Sequence, residues 1–415
     1  MKRREFLKLA GAASLAGCAS AIPSKARVVV IGGGFGGATA AKYIRLWDPS
    51  IDVVLVERET AFTSCPISNL VMAGFADMND IRHGYDGLRR HGVQVVNDEV
   101  TAIDAGKKLV KLARGGDLAY DRLVVSPGID FNFGEIQGYA AAMHAGRVLH
   151  AWRAGAQTIE LRRQLVQMRD GGVFAISIPL APYRCGPGPY ERASVVAAYF
   201  KQAKPRAKVL ILDANPDVTS KGALFRKAWA ELYPGIVEYR GNSLAVGVNA
   251  ATMTVKLEVE DVKADVLNVI PPHRAGDIAR KSGLITTNNR WCDVDWRTME
   301  SKVVPGVHVL GDATLSAPVM PKSGSMANNH AKIAAAAIVE LLNGRAPAPV
   351  QILNTCYSFV SQKEAIRVSS VHAWDDKDRT LKPIAGAGGV SAARSEAEGS
   401  YAWNWARTIW ADSLG

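Results

Sequence analysis

Hydrophobic and polar positions alternate along this chain in blocks that predict strands and helices in turn. Ala26-Arg-Val-Val-Val-Ile31 is a short apolar run, Ala38 to Leu46 repeats its apolar residues at helical spacing, and Asp52-Val-Val-Leu-Val-Glu57 is a second apolar run. Continuous runs of this length suit strands buried on both faces of a parallel sheet. The block recurs mid-chain, with a strand at Val173–Ile178, a helix at Tyr190–Lys204 and a strand at Ala207–Asp213. Further strands are predicted in Ala119–Gly128, Ala264–Pro272 and Gly306–Ala313, with a helix from about Ser325 to Leu342. Alternation of this kind predicts an α/β protein with two Rossmann-like three-layer domains. From about Ala346 the pattern changes to a less periodic tail with Trp374, Trp403, Trp405 and Trp410, read as a C-terminal α+β interface domain. Within that tail the Gly/Ala/Ser stretch from Ala385 to Ser400 is predicted to be a loop. The division predicted is 1–21 leader, 22–150 and 271–345 the two parts of one dinucleotide domain, 151–270 the second α/β domain, and 346–415 the tail.

The turns between these elements carry the chemistry. Gly32, Gly34 and Gly37 form G-x-G-x-x-G between a strand and a helix, and Glu57 closes the second strand about 20 residues on. Gly32 permits the tight turn, Gly34 lets backbone approach a pyrophosphate, and Gly37 lets helix and strand pack closely. Glu57, followed by Arg58, is placed to accept from the adenosine ribose hydroxyls. Two later elements select FAD over NAD for this domain. One is the strand running into Ser126-Pro127-Gly128, the other the strand that delivers Gly311 and Asp312 to the ribityl chain.

The equivalent turn of the middle domain reads Pro182-Tyr-Arg-Cys-Gly-Pro-Gly-Pro-Tyr190. Three prolines remove backbone donors and stiffen the loop, so a phosphate cradle is hard to build there. Cys185 stands where a nicotinamide loop would be, and a cysteine at that place points to thiol redox chemistry. Arg184 and Lys322 are candidate cations for a thiolate or a reduced flavin. Glu191 and Arg192 read as a charge pair at a helix start.

The ends and the composition narrow the setting. Lys2-Arg3-Arg4-Glu5-Phe6-Leu7-Lys8 is a twin-arginine export motif, which predicts a periplasmic protein. The stretch after it is shorter than the about 20 apolar residues a membrane span needs. Leu15-Ala16-Gly17-Cys18 reads as a lipobox, giving a lipid anchor at Cys18, and Ala19-Ser20-Ala21 as a site of release. Removing four basic residues and one acidic residue with the leader takes the formal charge from +11 to +8. No dense Lys/Arg run interleaved with aromatics accompanies that charge, so nucleic acid is not a predicted partner. Of five cysteines, Cys18 belongs to the leader and Cys292 reads as a buried free thiol. Cys65, Cys185 and Cys356 show no metal-ligand spacing, no metal site is predicted, and no CxxCH haem motif is present. Any haem belongs to a partner.

Thr63-Ser-Cys-Pro-Ile-Ser-Asn69, Arg184-Cys-Gly-Pro-Gly-Pro-Tyr-Glu-Arg192, Ile270-Pro-Pro272, Trp291-Cys-Asp-Val-Asp295, Met320-Pro-Lys-Ser-Gly324 and Leu353-Asn-Thr-Cys-Tyr357 together resemble the flavoprotein subunits of flavocytochrome c sulfide dehydrogenase. The resemblance spans the mature chain and implies a glutathione-reductase-like flavoprotein. It implies a thioether from Cys65 to FAD and a redox disulfide between Cys185 and Cys356. Lys322, Ser323 and Gly324 join the cofactor-binding set on the same ground. The implied reaction is oxidation of sulfide to sulfane sulfur, with electrons passed to a c-type cytochrome subunit in a heterodimer. Alternatives are a sulfide:quinone oxidoreductase, an NAD(P)H-dependent flavin reductase, which the proline-rich loop disfavours, and a non-catalytic flavin-binding subunit. The end segment Tyr401–Trp410 holds one basic residue, Arg407, too few for a membrane-surface helix with a basic face. It reads as protein interface.

Overall fold

The computed structural model describes residues 24–415, so the export motif and Cys18 lie outside the described residues. The chain enters through β1 (Ala26–Ile31), α1 (Phe35–Trp47) and β2 (Ile51–Glu57). Val28, Val29 and Val30 are fully buried, as a central parallel strand covered on both faces requires. After the short helix α2 (Ser68–Ala73) come β3 (Gln94–Asn97) and β4 (Arg122–Val125). The chain then leaves for the middle unit, with β5 (Val173–Ile178), α3 (Gly188–Ala203), β6 (Lys208–Asp213), α4 (Gly222–Leu232), β7 (Val237–Arg240) and β8 (Val266–Val269). It returns through β9 (Val307–Val309) and the long helix α5 (Gly324–Leu342).

Two parallel sheets result. The first is ordered β9-β4-β1-β2-β3, with the short strands 294–295 and 300–301 beyond β9. The register is direct, Val28 facing Val53 on one side and Arg122 on the other. The second sheet runs β8-β5-β6-β7, with 148–149 outside β8. In both, the strand following the first helix lies beside the first strand, so each turn opens at the carboxyl edge of its sheet, where α/β proteins bind ligands.

The tail is more ordered than its composition predicts. It forms an antiparallel sheet, β10 (Gln351–Phe359), β11 (Ala365–Asp375) and β12 (Thr380–Val390), then helix α6 (Glu396–Leu414). The stretch from Ala385 to Ser400, predicted as a loop, is instead the second half of β12, a short connection and the start of α6. Two local facts explain the difference. Gly388 and Gly389 pair in register with Ser370 and Ser369 of β11, and small residues carry no alternation that a sequence pattern reveals. Ser395 caps α6, its hydroxyl accepting from the Glu398 N–H at 3.1 Å. Ala402, Ala406, Ile409 and Trp410 of α6 share a core with Leu70 and Val71 of α2 and with Phe35 of α1. The tail is therefore built into the first domain rather than appended to it.

Candidate active site

The two carboxyl edges and the tail enclose a cleft of about 820 Å³, near the upper end of small-molecule sites, about 300–1,000 Å³. Gly32, Gly34, Glu57, Arg58, Cys65, Ser126, Pro127, Gly128, Gly311, Asp312, Ser323 and Gly324 line it, together with Cys185 and Cys356. Gly37 and Lys322, also expected at the site, lie behind this surface. A Cβ on Gly37 would stand 1.8 Å from the Gly32 carbonyl oxygen, so Gly37 permits the helix–strand contact and does not face a ligand. The Glu57 carboxylate accepts from the Gly33 N–H at 2.6 Å and the Glu59 N–H at 2.8 Å. It therefore stabilises the glycine turn as well as lining the cleft.

A dinucleotide fits this surface. The N-termini of α1 and α5 open onto it through Gly34 and Gly324, two places where backbone N–H groups favour negative charge. Asp312 reaches the cleft on a turn after β9, and its buried Oδ1 finds no hydrogen-bond partner in the protein. Burial pushes its carboxyl up, opposed by Arg184 and Lys322. A buried carboxylate oxygen without a donor is costly, and a ribityl hydroxyl supplies the missing donor. The Ser323 hydroxyl is already engaged, accepting from the Met326 N–H at 3.1 Å and donating to Asn354 Oδ1 at 2.8 Å. Its part is to fix the start of α5 against β10.

Cys185 and Cys356, far apart in sequence, meet at the cleft. All four cysteines among the described residues are free thiols; the bridge implied for Cys185 and Cys356 is not formed. The two sulfurs interact: each is the largest influence on the other, raising the Cys185 thiol and lowering Cys356, and the Cys356 sulfur also lies 3.8 Å from the Tyr357 carbonyl oxygen. Burial raises both, and Lys221 adds to the lowering of Cys356. Cys185 adopts a left-handed backbone, φ 61°, a conformation that costs a non-glycine residue about 1–3 kcal/mol. Neighbouring groups hold it there. The Cys185 N–H donates to the Lys322 carbonyl at 2.9 Å, and the Arg184 N–H to His273 Nδ1 at 2.9 Å. Trp152 Nε1 donates to the Arg184 carbonyl at 3.2 Å. Burial holds the His273 imidazolium well below its usual range, so the neutral ring keeps Nδ1 as an acceptor.

The same loop offers little to a phosphate. The Gly188 N–H is spent on the Cys185 carbonyl at 2.8 Å, and Pro189 has none. Asp213, at the end of β6 where a dinucleotide unit presents an acid, accepts from Tyr190 at 2.6 Å and Tyr239 at 3.1 Å through Oδ2. Its Oδ1 takes Asn215 Nδ2 at 2.8 Å. Side chains of the protein occupy the place of a ribose.

Several charged residues differ from expectation. Lys322 directs its ammonium over the Trp291 ring at 3.8 Å and to the carbonyls of Asp312, at 3.2 Å, and Thr314. Burial lowers it to about 8. It braces the Asp312 turn and does not face the thiols; Arg184 does line the cleft. Glu191 and Arg192 are not a charge pair. Glu191 accepts from Asn69 Nδ2 at 3.0 Å and the Phe359 N–H at 2.9 Å. Arg192 donates to Asn69 Oδ1 at 3.0 Å, Asn268 Oδ1 at 2.8 Å and the carbonyls of His150 and Ala151. Their neighbours come from distant segments, which no local signal indicates. Lys221 and His273 were likewise not legible, each an unremarkable basic residue in its own stretch. Cys65 lies at the cleft, its sulfur 3.8 Å from the Trp152 carbonyl oxygen, and Cys292 is fully buried and pushed up to about 12. Of the tail tryptophans, Trp405 lines the cleft while Trp410 is buried against His83.

The fold and the cleft define a two-dinucleotide-fold flavoprotein with FAD as its cofactor. Family models for the central region of the sulfide dehydrogenase [flavocytochrome c] flavoprotein chain and for the flavin-binding region of flavocytochrome c sulphide dehydrogenase match residues 158–271 and 348–414. A sulfide dehydrogenase [flavocytochrome c] flavoprotein chain of Chlorobaculum thiosulfatiphilum is 69% identical over 45 residues, 11% of this chain and 94% of that sequence. The protein belongs to the flavoprotein chains of flavocytochrome c sulfide dehydrogenase. It is also similar to the mitochondrial sulfide:quinone oxidoreductase of Mus musculus, 24% identical over 300 residues, and spans 65% of that relative's length and 69% of its own. The solved sulfide:quinone oxidoreductase of Aquifex aeolicus shares the fold, with a TM-score of 0.76 and 17% identity, covering 93% of this chain and 91% of that one.

Proposed function

We propose that this protein oxidises sulfide to sulfane sulfur through a disulfide formed by Cys185 and Cys356, and passes the electrons through FAD to a c-type cytochrome subunit. The observation that carries the proposal is the meeting of the two thiols at the FAD cleft, Cys185 on the proline-rich turn of the middle unit and Cys356 on β10. In the oxidised pair, hydrosulfide attacks one sulfur and the S–S bond breaks, leaving a persulfide on one cysteine and a thiolate on the other. A second hydrosulfide takes the sulfane sulfur as hydrodisulfide and returns the cysteine to its thiol. Re-forming the bridge releases two electrons. Per turnover, two hydrosulfides give one hydrodisulfide, one proton and two electrons. FAD, when bound, accepts that pair and returns it one electron at a time. Around the pair, His273 and Trp152 hold the Cys185 loop, and the N-terminus of α5 favours the negative charge that reduction brings into the cleft.

Three finer assignments belong to this reading. Cys65 is the residue for a thioether to the flavin, because it lines the cleft beside the tail and the Cys185 loop. Haem resides on the partner, which docks at the tail without Trp410, since that side chain is buried. The export motif places the complex in the periplasm, released or anchored at Cys18.

Anaerobic titration of the purified flavoprotein tests the proposal: sulfide bleaches the flavin band and NADH leaves it unchanged. Bleaching by NADH alone overturns it. The likeness to sulfide:quinone oxidoreductases supports a second reading, with quinone as acceptor. Among the described residues, no helix is long and apolar enough to cross a membrane. Turnover with cytochrome c but not with a soluble quinone separates the two.

A further inference from the structure

Lys221 precedes α4 in a left-handed backbone conformation, φ 56°, and is buried. Its ammonium donates to Ser358 Oγ at 2.8 Å, the Cys356 carbonyl at 3.3 Å and the Ile366 carbonyl at 3.4 Å. The Phe225 ring lies 5.9 Å away. All three acceptors are neutral oxygens, so hydrogen bonds satisfy the donors and leave the charge uncompensated. A buried ammonium in that state is costly and needs a nearby anion. Burial pulls the Lys221 ammonium down, and the acidic groups near enough to hold it up are Cys356, Glu191, Cys185 and Glu398. Glu191 is a weak counter-ion, because burial pushes its carboxyl up. Glu398 lies by Arg367 at 3.6 Å and Ser391 at 2.8 Å. The cysteine pair remains.

We propose that Lys221 is the counter-ion of the Cys356 thiolate, so that the reduced pair carries its negative charge on Cys356 and its proton on Cys185. The proposal deepens the redox reading of the pair and rests on it. The geometry accounts for the asymmetry. Lys221 reaches the β10 strand through the Cys356 carbonyl and Ser358, whereas the Cys185 loop is held by Lys322, His273 and Trp152 through its backbone. The charged groups around the pair act in different directions. Lys221 lowers Cys356 and Glu191 raises it; Glu191 also raises Cys185, and Arg184 lowers it. Cys185 then keeps its proton, and the second proton of the dithiol leaves to solvent. An anionic sulfur is the more reactive towards electrophiles.

The test is alkylation of the full flavoprotein after anaerobic reduction with dithiothreitol and its removal. Iodoacetamide is added across a pH series, and peptide mass spectrometry reads which cysteine is modified. In the wild type, Cys356 reacts before Cys185, with a midpoint below that of an ordinary thiol, the direction in which its neighbours move it. Lys221→Met moves the midpoint up by about one unit, on the order of tenfold slower reaction at neutral pH. Lys221→Arg restores it. Cys185 reacting first in the wild type, or an unmoved midpoint in Lys221→Met with FAD retained, overturns the proposal. If Lys221→Met loses FAD, the wild-type order of modification and the Lys221→Arg profile decide. Sulfide bleaching of the wild type is measured in parallel. Lysine-dependent alkylation without bleaching sinks the sulfide reading and leaves the counter-ion standing.

Discussion

Two turns of this protein share one frame and do different chemistry. Each follows a buried parallel strand, β1 or β5, and opens a helix, α1 or α3, at the carboxyl edge of its sheet. In the first, glycines let backbone approach a ligand and close on the neighbouring strand. In the second, prolines and Tyr190 remove or cover the polar groups a phosphate needs, and Cys185 takes the position that lines the cleft. The Rossmann frame fixes where a reactive group is presented, while the turn decides which group it is.

The largest test of that difference is Cys185→Ser or Cys356→Ser. Either lowers the rate of flavin bleaching by sulfide by about three orders of magnitude or more, because the pair acts as a unit; stopped-flow absorbance reads it. Bleaching that survives both substitutions would mean that the second turn does not carry the redox chemistry. Gly37→Val is next. Its Cβ meets the Gly32 oxygen at 1.8 Å, an overpacking that costs about 3 kcal/mol, seen as a lower melting temperature and loss of FAD on gel filtration. Gly186→Ala, in the other turn, meets nothing closer than Thr219 Oγ1 at 3.6 Å and stays within about 0.5 kcal/mol of wild type. Asp312→Ala loosens FAD by about 1–3 kcal/mol, the value of a buried hydrogen bond to a charged group, read by fluorescence of released flavin. Tyr190→Phe probes the covered acid of the second turn. Losing the bond to Asp213 costs about 1–2 kcal/mol of stability in urea unfolding, and NADH still does not bleach the flavin.

The sequence showed the strands and helices that carry both turns because buried parallel strands are continuous apolar runs, and their boundaries agree within a few residues. The tail was less legible. Ala385–Val390 became a strand because β11 offers it backbone partners, and nothing in a Gly/Ala run announces a partner. The cleft residues on motifs were readable; those that act by contact were not. Glu191 and Arg192 look like a surface pair until Asn69, Asn268 and Phe359 surround them. Lys322, an expected neighbour of the thiols, is drawn away by Trp291 and two carbonyls.

By itself, the sequence determined the local conformations and the chemistry each turn can present, because glycine, proline and cysteine act through their own backbone and side-chain atoms. Tertiary structure alone decided which cysteines meet, which cation faces them and which charges are stripped of water. These properties depend on distances between segments remote in sequence, and on a local dielectric that only burial creates.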